Sequence, residues 1–306
     1  MINMVLLLII IPGRNYIDES IELAKKIGAE VLNVKYKVFP DGEKYVRIEN
    51  SEKIMGKPVI ISNTMYPSQN DSFIETLMLI NASIKANASR IVAYIPYLAY
   101  SRQDKVFLTG EPVSAEIVLK TLYYTGIDCL ITIDIHSEQV LKELNKCFYN
   151  IQVFDILFNN VKHLVNDPIV IAPDKGALNR AKYLADKFSL QYDYLVKERD
   201  RVTGEITIQT REIDIRNRDI VIVDDIISTG GTIAEASRKL IEKGARRVIV
   251  CASHGLLIGS AIDNIKKAGV LKIVLANTLG IRFQDPFIEY VDVSERIAKI
   301  LLEVLK

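Results

Sequence analysis

The 306-residue chain has no surplus of charge, few cysteines and few histidines, and each scarcity removes a class of function. Lys and Arg number 39 against 38 Asp and Glu, a formal charge of +1. No global field draws nucleic acid or an anionic membrane to it, so any anion site must be local. The three cysteines, Cys129, Cys147 and Cys251, are scattered with no CxxC pair. That pattern predicts neither a disulfide framework nor a zinc site, and it fits a reducing cytoplasm. There is no low-complexity segment, and no apolar run approaches the length of a membrane span. Residues 5–11 are apolar enough for a signal-peptide core, but no basic residue precedes them and no small-residue cleavage site follows. They read instead as a first buried strand. Two nucleotide signatures are also missing: the GxxxxGK[ST] P-loop and the GxGxxG dinucleotide fingerprint.

Hydrophobic residues make up 49% of the chain and charged ones 25%, a globular composition with material for two domains. Apolar runs at 6–11, 59–62, 91–95, 130–134, 169–172, 220–223, 247–252 and 272–276 predict strands. Amphipathic stretches at 17–27, 72–86, 115–124, 177–188, 232–242 and 260–268 predict helices between them, and 294–305 a last one. Continuous Val/Ile/Leu strands alternating with helices predict parallel sheets covered on both faces. An internal echo adds to this. PVIISNT, a helix and ASRIVAYIPY match IVIVDDI, a helix and ARRVIVCASH. We expect an α/β protein of two similar domains, 1–149 and 150–291, each a mostly parallel sheet flanked by helices. The terminal helix, 292–306, is expected to pack on the first domain.

The segment VIVDDIISTGGT places Asp224 and Asp225 at a predicted strand end, where α/β sheets bind ligands. Ser228, Thr229, Gly230, Gly231 and Thr232 then lead into a helix. Glycines let backbone N–H groups approach an anion, and the helix N-terminus adds partial positive charge. Adjacent carboxylates beside an anion cradle make sense if the ligand carries hydroxyls as well as phosphate. They accept from a sugar diol, or hold Mg²⁺ bound to it. A lone acid there would read as a solvated turn residue.

Other marked stretches are weaker singly. FPDGE (Phe39, Asp41 and Glu43 within it) reads as a hairpin turn. YIPYLAYSRQDK reads as a strand ending in Arg102, Gln103 and Asp104, where Arg suits a polyphosphate and Gln a base edge, or all three form a solvated loop after the strand. IDIHSEQ puts His136, one of three histidines, just past a strand. In APDKGALNRA, Asp174 is a candidate Mg²⁺ ligand or equally a helix N-cap. The charged stretch LVKERDRVTGEITI, with Lys197 and Arg199, reads as a hairpin that is either solvated or a mobile flap delivering cations.

An apolar strand, paired acids and Thr-Gly-Gly-Thr resemble the ribose 5-phosphate loop of the type I phosphoribosyltransferase fold. FPDGE, IPYLAYSRQD, IDIHSEQ, APDKGALNRA, KER and VDDIISTGGT, in one order over nearly the whole chain, resemble the ribose-phosphate pyrophosphokinase family. The resemblance implies two phosphoribosyltransferase-type domains. It also implies a reaction, with Mg²⁺ as cofactor: ATP and ribose 5-phosphate give phosphoribosyl pyrophosphate and AMP for nucleotide biosynthesis. It gives Lys197 and Arg199 the catalytic flap, and Asp224, Asp225 and residues 228–232 the ribose 5-phosphate. Phe39, Asp41, Glu43, Arg102, Gln103, Asp104 and His136 take ATP, and His136 and Asp174 the metal. His136 serves equally as a hydrogen-bond donor to phosphate or metal-bound water. A homodimer or a multiple of dimers is implied, with the FPDGE loop completing a neighbouring subunit's ATP site, in the cytoplasm and without nucleic acid or membrane.

Three departures stand out. Ser228 replaces a common Asp, Lys-Gly-Ala follows Asp174 where Gly-Gly is common, and KVFLTGEP lacks the arginines tied to a separate ADP site. Two rivals remain. One is a phosphoribosyltransferase, which needs neither RQD nor the KER flap. The other is a non-catalytic partner of a true synthetase, which should have lost the flap cations or metal ligands retained here.

Overall fold

The computed structural model describes residues 7–199, 206–210 and 213–305, with side chains for all of these except 197–199 and 206–210. The chain forms two compact units. One holds the residues up to Ile151 together with Thr278–Ile281 and the chain from Val293 onward; the other holds Gln152–Asn277 and Arg282–Asp292.

In the first unit, β1 (Ile9–Pro12) is fully buried. The helix α1 (Ile17–Ile27) follows, with Asp18 and Glu19 in its first turn and Lys25 and Lys26 in its last, matching the helix dipole. It stops at Gly28, whose left-handed backbone lets its N–H reach the Ala24 carbonyl. Then come β2 (Glu30–Val31), the hairpin β3 (Val34–Val38) and β4 (Lys44–Ile48), β5 (Pro58–Ser62), α2 (Gln69–Lys85), β6 (Arg90–Tyr94), α3 (Ser114–Thr125), β7 (Cys129–Ile133), α4 (Gln139–Glu143) and β8 (Phe148–Ile151). Apart from the hairpin, the strands form one sheet in the order β2-β1-β5-β6-β7-β8, with every pairing parallel.

The second unit runs α5 (Phe154–Val161), β9 (Ile169–Ala172), α6 (Leu178–Phe188), β10 (Gln191–Arg199), β11 (Ile206–Thr210), β12 (Asp219–Ile227), α7 (Gly231–Glu242), β13 (Arg247–Gly255), α8 (Ala261–Lys267), β14 (Lys272–Ala276) and β15 (Ile288–Val291). The last helix, α9 (Ser294–Val304), belongs to the first unit and lies against α1. The sheet order is β11-β10-β9-β12-β13-β14-β15, parallel except for the edge strand β11. Without β11 this is the same permutation as in the first unit, so the sequence echo is an architectural repeat. Its core sets Ile169, Ile171, Ile220, Ile222, Val248 and Val250 of the sheet against Ile233, Leu240 and Ile265 of α7 and α8.

Two local readings need correction. β12 does not end before its acids. It continues to Ile227, in register with β13 through Ile227 and Gly255, so Asp224 and Asp225 are strand residues. Carboxylates disfavour strands on propensity alone, and the pairing with β13 overrides that. Arg102, Gln103 and Asp104 lie in the long loop after β6, well beyond Tyr94 rather than at the strand's end.

The cysteine expectation also fails: Cys129 and Cys147 form a disulfide, with Cα atoms 4.7 Å apart. The cause is register. Leu130 pairs with Phe148 in the parallel β7–β8 ladder, which makes Cys129 and Cys147 the preceding neighbours. Nothing in their spacing carries that signal. Cys251 is a buried free thiol whose ionisation burial pushes far up, so it behaves as an inert core residue. Closing a loop of this size should contribute about 3 kcal/mol. Adding a reductant, or Cys129→Ser, should therefore lower the melting temperature of the folded chain by several degrees. An unchanged melting curve in reductant would show that the crosslink contributes nothing.

Candidate functional site

The strongest constellation lies at the carboxyl end of β12. Two carboxylates of that strand behave in opposite ways. Asp219, at its start, is fully buried, but Arg246 grips it with two bonds of 2.8 and 2.7 Å and the Asn166 N–H adds a third at 2.8 Å. Burial alone would raise its pKa, yet these partners hold it below the usual carboxylate range. Asp224 is half-buried, and its carboxyl is pushed well above the usual range, first by desolvation and then by the charge of Asp225. Asp219 is a satisfied structural acid. Asp224 is held in a state that a ligand bearing hydroxyls or positive charge would relieve.

Asp225 is 3% exposed and forms an ion pair with Arg180 of α6, Oδ2 to Nη2, at 3.2 Å. Its backbone N–H donates to Asp224 Oδ1 at 2.9 Å. The loop that follows is anchored where the N–H groups of Leu257 and Ile258 donate to the carbonyls of Ile227 and Ser228, at 3.1 and 3.0 Å.

The two glycines of the loop differ in their reasons. Gly230 is left-handed (φ 74°), and a Cβ there would stand 3.0 Å from Ile265 Cδ1 and 3.1 Å from the Ala261 carbonyl, so the fold requires it. Gly231 has no such need: the nearest atom to a Cβ there is Thr229 Oγ1 at 4.0 Å. Open space therefore lies before its backbone, where a molecule could approach. Gly230 caps α7 without a side chain, so no cap side chain occupies the first N–H groups of the helix. A helix start of this kind, with open space before its backbone and a carboxyl beside it, is a candidate anion cradle.

Asp174 follows β9. Its Oδ1 accepts from the N–H groups of Gly176 and Ala177 at 2.8 and 3.1 Å and so ties the turn before α6, whose N-cap is Ala177 rather than Asp174. The side chain is exposed, and its second oxygen makes no hydrogen bond to a described residue. A Cβ on Gly176 would lie 3.1 Å from Oδ1, so glycine here lets the carboxylate close on the turn. Lys197 and Arg199 belong to β10, where the backbone pairs with Ile208 and Ile206 of β11. Their side chains lie outside the described residues.

In the first unit, Phe39, Asp41 and Glu43 form the exposed tip of the β3–β4 hairpin. The turn is closed by Phe39 N–H to the Glu43 carbonyl and Gly42 N–H to the Phe39 carbonyl, both 2.8 Å, and Asp41 Oδ1 accepts from the Glu43 N–H at 3.2 Å. Phe39 is 36% exposed, with Lys37 Nζ 4.6 Å from its ring centroid and Tyr45 edge-on at 6.2 Å. Gln103 is fixed against α3: its side-chain oxygen accepts from the Ser114 hydroxyl and its carbonyl from the Ala115 N–H at 3.2 Å. Arg102 is exposed, and Asp104 is partly buried in the same loop. His136 is exposed in the turn after β7, which is tied down by Ile135 N–H to Asn150 Oδ1 at 3.0 Å.

The first unit differs at the matching positions. The helix caps put Ser68 and Gln69 of α2 where Gly230 and Gly231 stand at α7, and Ser62 and Asn63 where the acids stand. Asp71, paired with Lys44 at 2.7 Å, sits in the first turn of α2 and supplies negative charge there. Among the described residues no group of three or more His, Cys, Asp and Glu is arranged to hold a metal ion.

Two units of one parallel topology, with a ribose-phosphate type loop in the second, define a protein of the phosphoribosyltransferase class. Residues 8–126 match the family model of the N-terminal domain of ribose phosphate pyrophosphokinase, and residues 139–277 match that of the phosphoribosyl transferase domain. The chain belongs to the ribose-phosphate pyrophosphokinase family, and it is an enzyme that transfers a pyrophosphoryl group. It is 41% identical to ribose-phosphate pyrophosphokinase of Sulfurisphaera tokodaii, over 95% of this chain and 99% of that one. It is 40% identical to the Aeropyrum pernix enzyme of the same name, over 89% and 88%. The crystal structure of phosphoribosylpyrophosphate synthetase from Mycobacterium smegmatis superposes with a TM-score of 0.89 at 27% identity, covering 97% of this chain and 98% of that one.

Sequence reasoning missed Arg180. It stands within the quoted APDKGALNRA, but nothing local marks a helical arginine as buried.

Two outcomes test the electrostatics. Gly231→Ala removes a glycine from the first turn of α7 and should hold or raise stability by a few tenths of a kcal/mol. The same change should weaken ribose 5-phosphate binding at least tenfold, roughly, because it fills the cradle. A variant that binds normally would refute the cradle. For Asp224 the folded state holds its proton more tightly than the unfolded state, so the side chain costs stability as pH rises from the ordinary carboxylate range through its raised pKa. Asp224→Asn should therefore be more stable than wild type in urea at neutral pH, with the difference shrinking as pH falls. A variant that is less stable at neutral pH would count against this reading.

Proposed function

We propose that the chain transfers the β,γ-pyrophosphoryl group of ATP to the anomeric hydroxyl of ribose 5-phosphate, with the residues assigned as follows. Ser228, Thr229, Gly230, Gly231 and Thr232 receive the 5-phosphate, and Asp224 and Asp225 serve the ribose hydroxyls. Phe39 stacks on adenine, while Asp41 and Glu43 accept from its exocyclic amine. Arg102, Gln103, Asp104 and His136 serve the ATP phosphates. Lys197 and Arg199 neutralise charge on the transferring group. The observation that carries the assignment is Gly231, a glycine that nothing inside the protein requires, at an uncapped helix end beside a carboxyl with a raised pKa.

The anomeric oxygen attacks the β-phosphorus in line, the new O–P bond forms, and the bridge to the α-phosphorus breaks as AMP leaves. Such a transfer asks for positioning and charge stabilisation more than covalent help. The donor set suits Mg²⁺. Exposed, separate groups such as Asp174 and His136 do not make a protein cage, and Mg²⁺ takes most of its ligands from water and substrate phosphates. Asp174, with one oxygen outside its capping bonds, is the better donor, and His136 suits a phosphate or a metal-bound water. When bound, the ion supplies charge neutralisation of the polyphosphate. The exposed Phe39 hairpin supports completion of a neighbouring subunit's ATP site in a homodimer or a multiple of dimers. A product that feeds nucleotide synthesis fits a cytoplasmic enzyme, and no described helix is long and apolar enough to cross a membrane.

AMP should appear from ATP only when ribose 5-phosphate and Mg²⁺ are both present. Lys197→Ala should lower kcat by roughly a hundredfold or more, by analogy with loss of one charge-stabilising donor. Turnover that survives this change would remove Lys197 from the reaction. AMP release independent of the pentose would point to another acceptor.

A further inference from the structure

The assignment above uses Asp224 and Asp225 alike, yet their surroundings differ. Their carboxyl groups are close enough to interact directly, and the Arg180 charge acts on Asp224 as well. Asp224 is half-buried, whereas Asp225 is 3% exposed and meets Arg180, itself 8% exposed, at 3.2 Å. Arginine is seldom buried to this degree without a dedicated partner. This one projects from α6, the helix whose entry turn is organised by Asp174 through its bonds to Gly176 and Ala177. The same helix thus carries the Asp174 turn at its start and, less than two turns on, the cation that holds Asp225.

We infer that Arg180 is a positioning residue for pentose recognition: it holds the Asp225 carboxylate toward α6 and leaves Asp224 as the acid that meets the pentose hydroxyls. The inference rests on the reading that the β12–α7 segment binds ribose 5-phosphate. Two carboxylates on consecutive residues repel strongly where water is scarce, and one cation turned to the buried member lets both stay. Asp225 also donates its N–H to Asp224 Oδ1 at 2.9 Å, so any displacement of Asp225 is passed to the ligand-facing carboxylate. A guanidinium suits this role better than an ammonium, because its planar fork fixes direction as well as charge.

The test is calorimetric titration of ribose 5-phosphate, with Mg²⁺ present, into the full-length chain and its Arg180→Met, Arg180→Lys, Asp225→Asn and doubly substituted Arg180→Met/Asp225→Asn forms. Arg180→Met should weaken pentose binding about tenfold or more, a coupling typical of contacting charges. Arg180→Lys should lose less. The KM for ATP should stay within about twofold in every form, since independent sites add rather than couple. The double variant should bind no worse than Arg180→Met, because removing both partners leaves no unpaired buried charge. If Arg180→Met does not fold, Arg180→Lys takes its place in the same cycle. Pentose binding by Arg180→Met equal to wild type, while Asp224→Ala abolishes it, would overturn the role of Arg180 alone. Single losses that simply add in the double variant would do the same. Wild type failing to bind the pentose, or Asp224→Ala binding it unchanged, would remove the underlying reading and this one with it.

Discussion

Adjacent carboxylates at the end of a buried strand repel each other, and much of the second unit is arranged to keep them there. β13 pairs alongside β12 through Ile227 and fixes the backbone on which both acids ride. Arg180 takes up the charge of the buried member, and the loop beyond is anchored to the chain after β13. What is left over is the raised pKa of Asp224, an electrostatic cost not repaid within the protein. Asp219 shows that the same strand can satisfy a buried acid completely when only architecture is at stake. Unrelieved charge of this kind tends to mark where a ligand belongs, because binding is what compensates it.

The repeat sharpens the point. Both units use the same strand permutation, and in both a strand, a turn and a helix follow in the same order. In the second, glycines open the turn and the helix end is uncapped. In the first, Ser68 and Gln69 stand at the corresponding positions, and Asp71 brings negative charge to the helix end, paired with Lys44. One architecture therefore carries glycines at this helix start in one copy and polar side chains in the other. The first copy instead exposes loops: the Phe39 hairpin, the Arg102 segment and the His136 turn.

Legibility in the sequence followed the locality of each signal. The helix at 17–27 and the strand at 169–172 were readable to the residue, because a polar boundary flanks a clean apolar pattern. The glycine turn into α7 was readable because glycine and hydroxyl residues before a helix act within a few positions. The short strands β2, β8 and β15 were not readable, since two to four residues that mix polar with apolar side chains carry no periodicity. The extension of β12 through its acids was also missed, because pairing with β13 outweighs an unfavourable local propensity. The same cause hid the disulfide, whose cysteines meet only through the register of β7 and β8.

By itself the amino-acid order determined the α/β class, the repetition of a unit and the glycine and hydroxyl residues that make the segment from Asp224 to Thr232 a candidate anion site. All three rest on apolar spacing and on backbone freedom within one or two turns of chain. Only the tertiary structure decided which aspartate is turned inward, that Arg180 meets it, that Gly231 has space around it, and that Cys129 reaches Cys147. Those outcomes depend on how strands and helices far apart in sequence align, and no local pattern encodes that alignment.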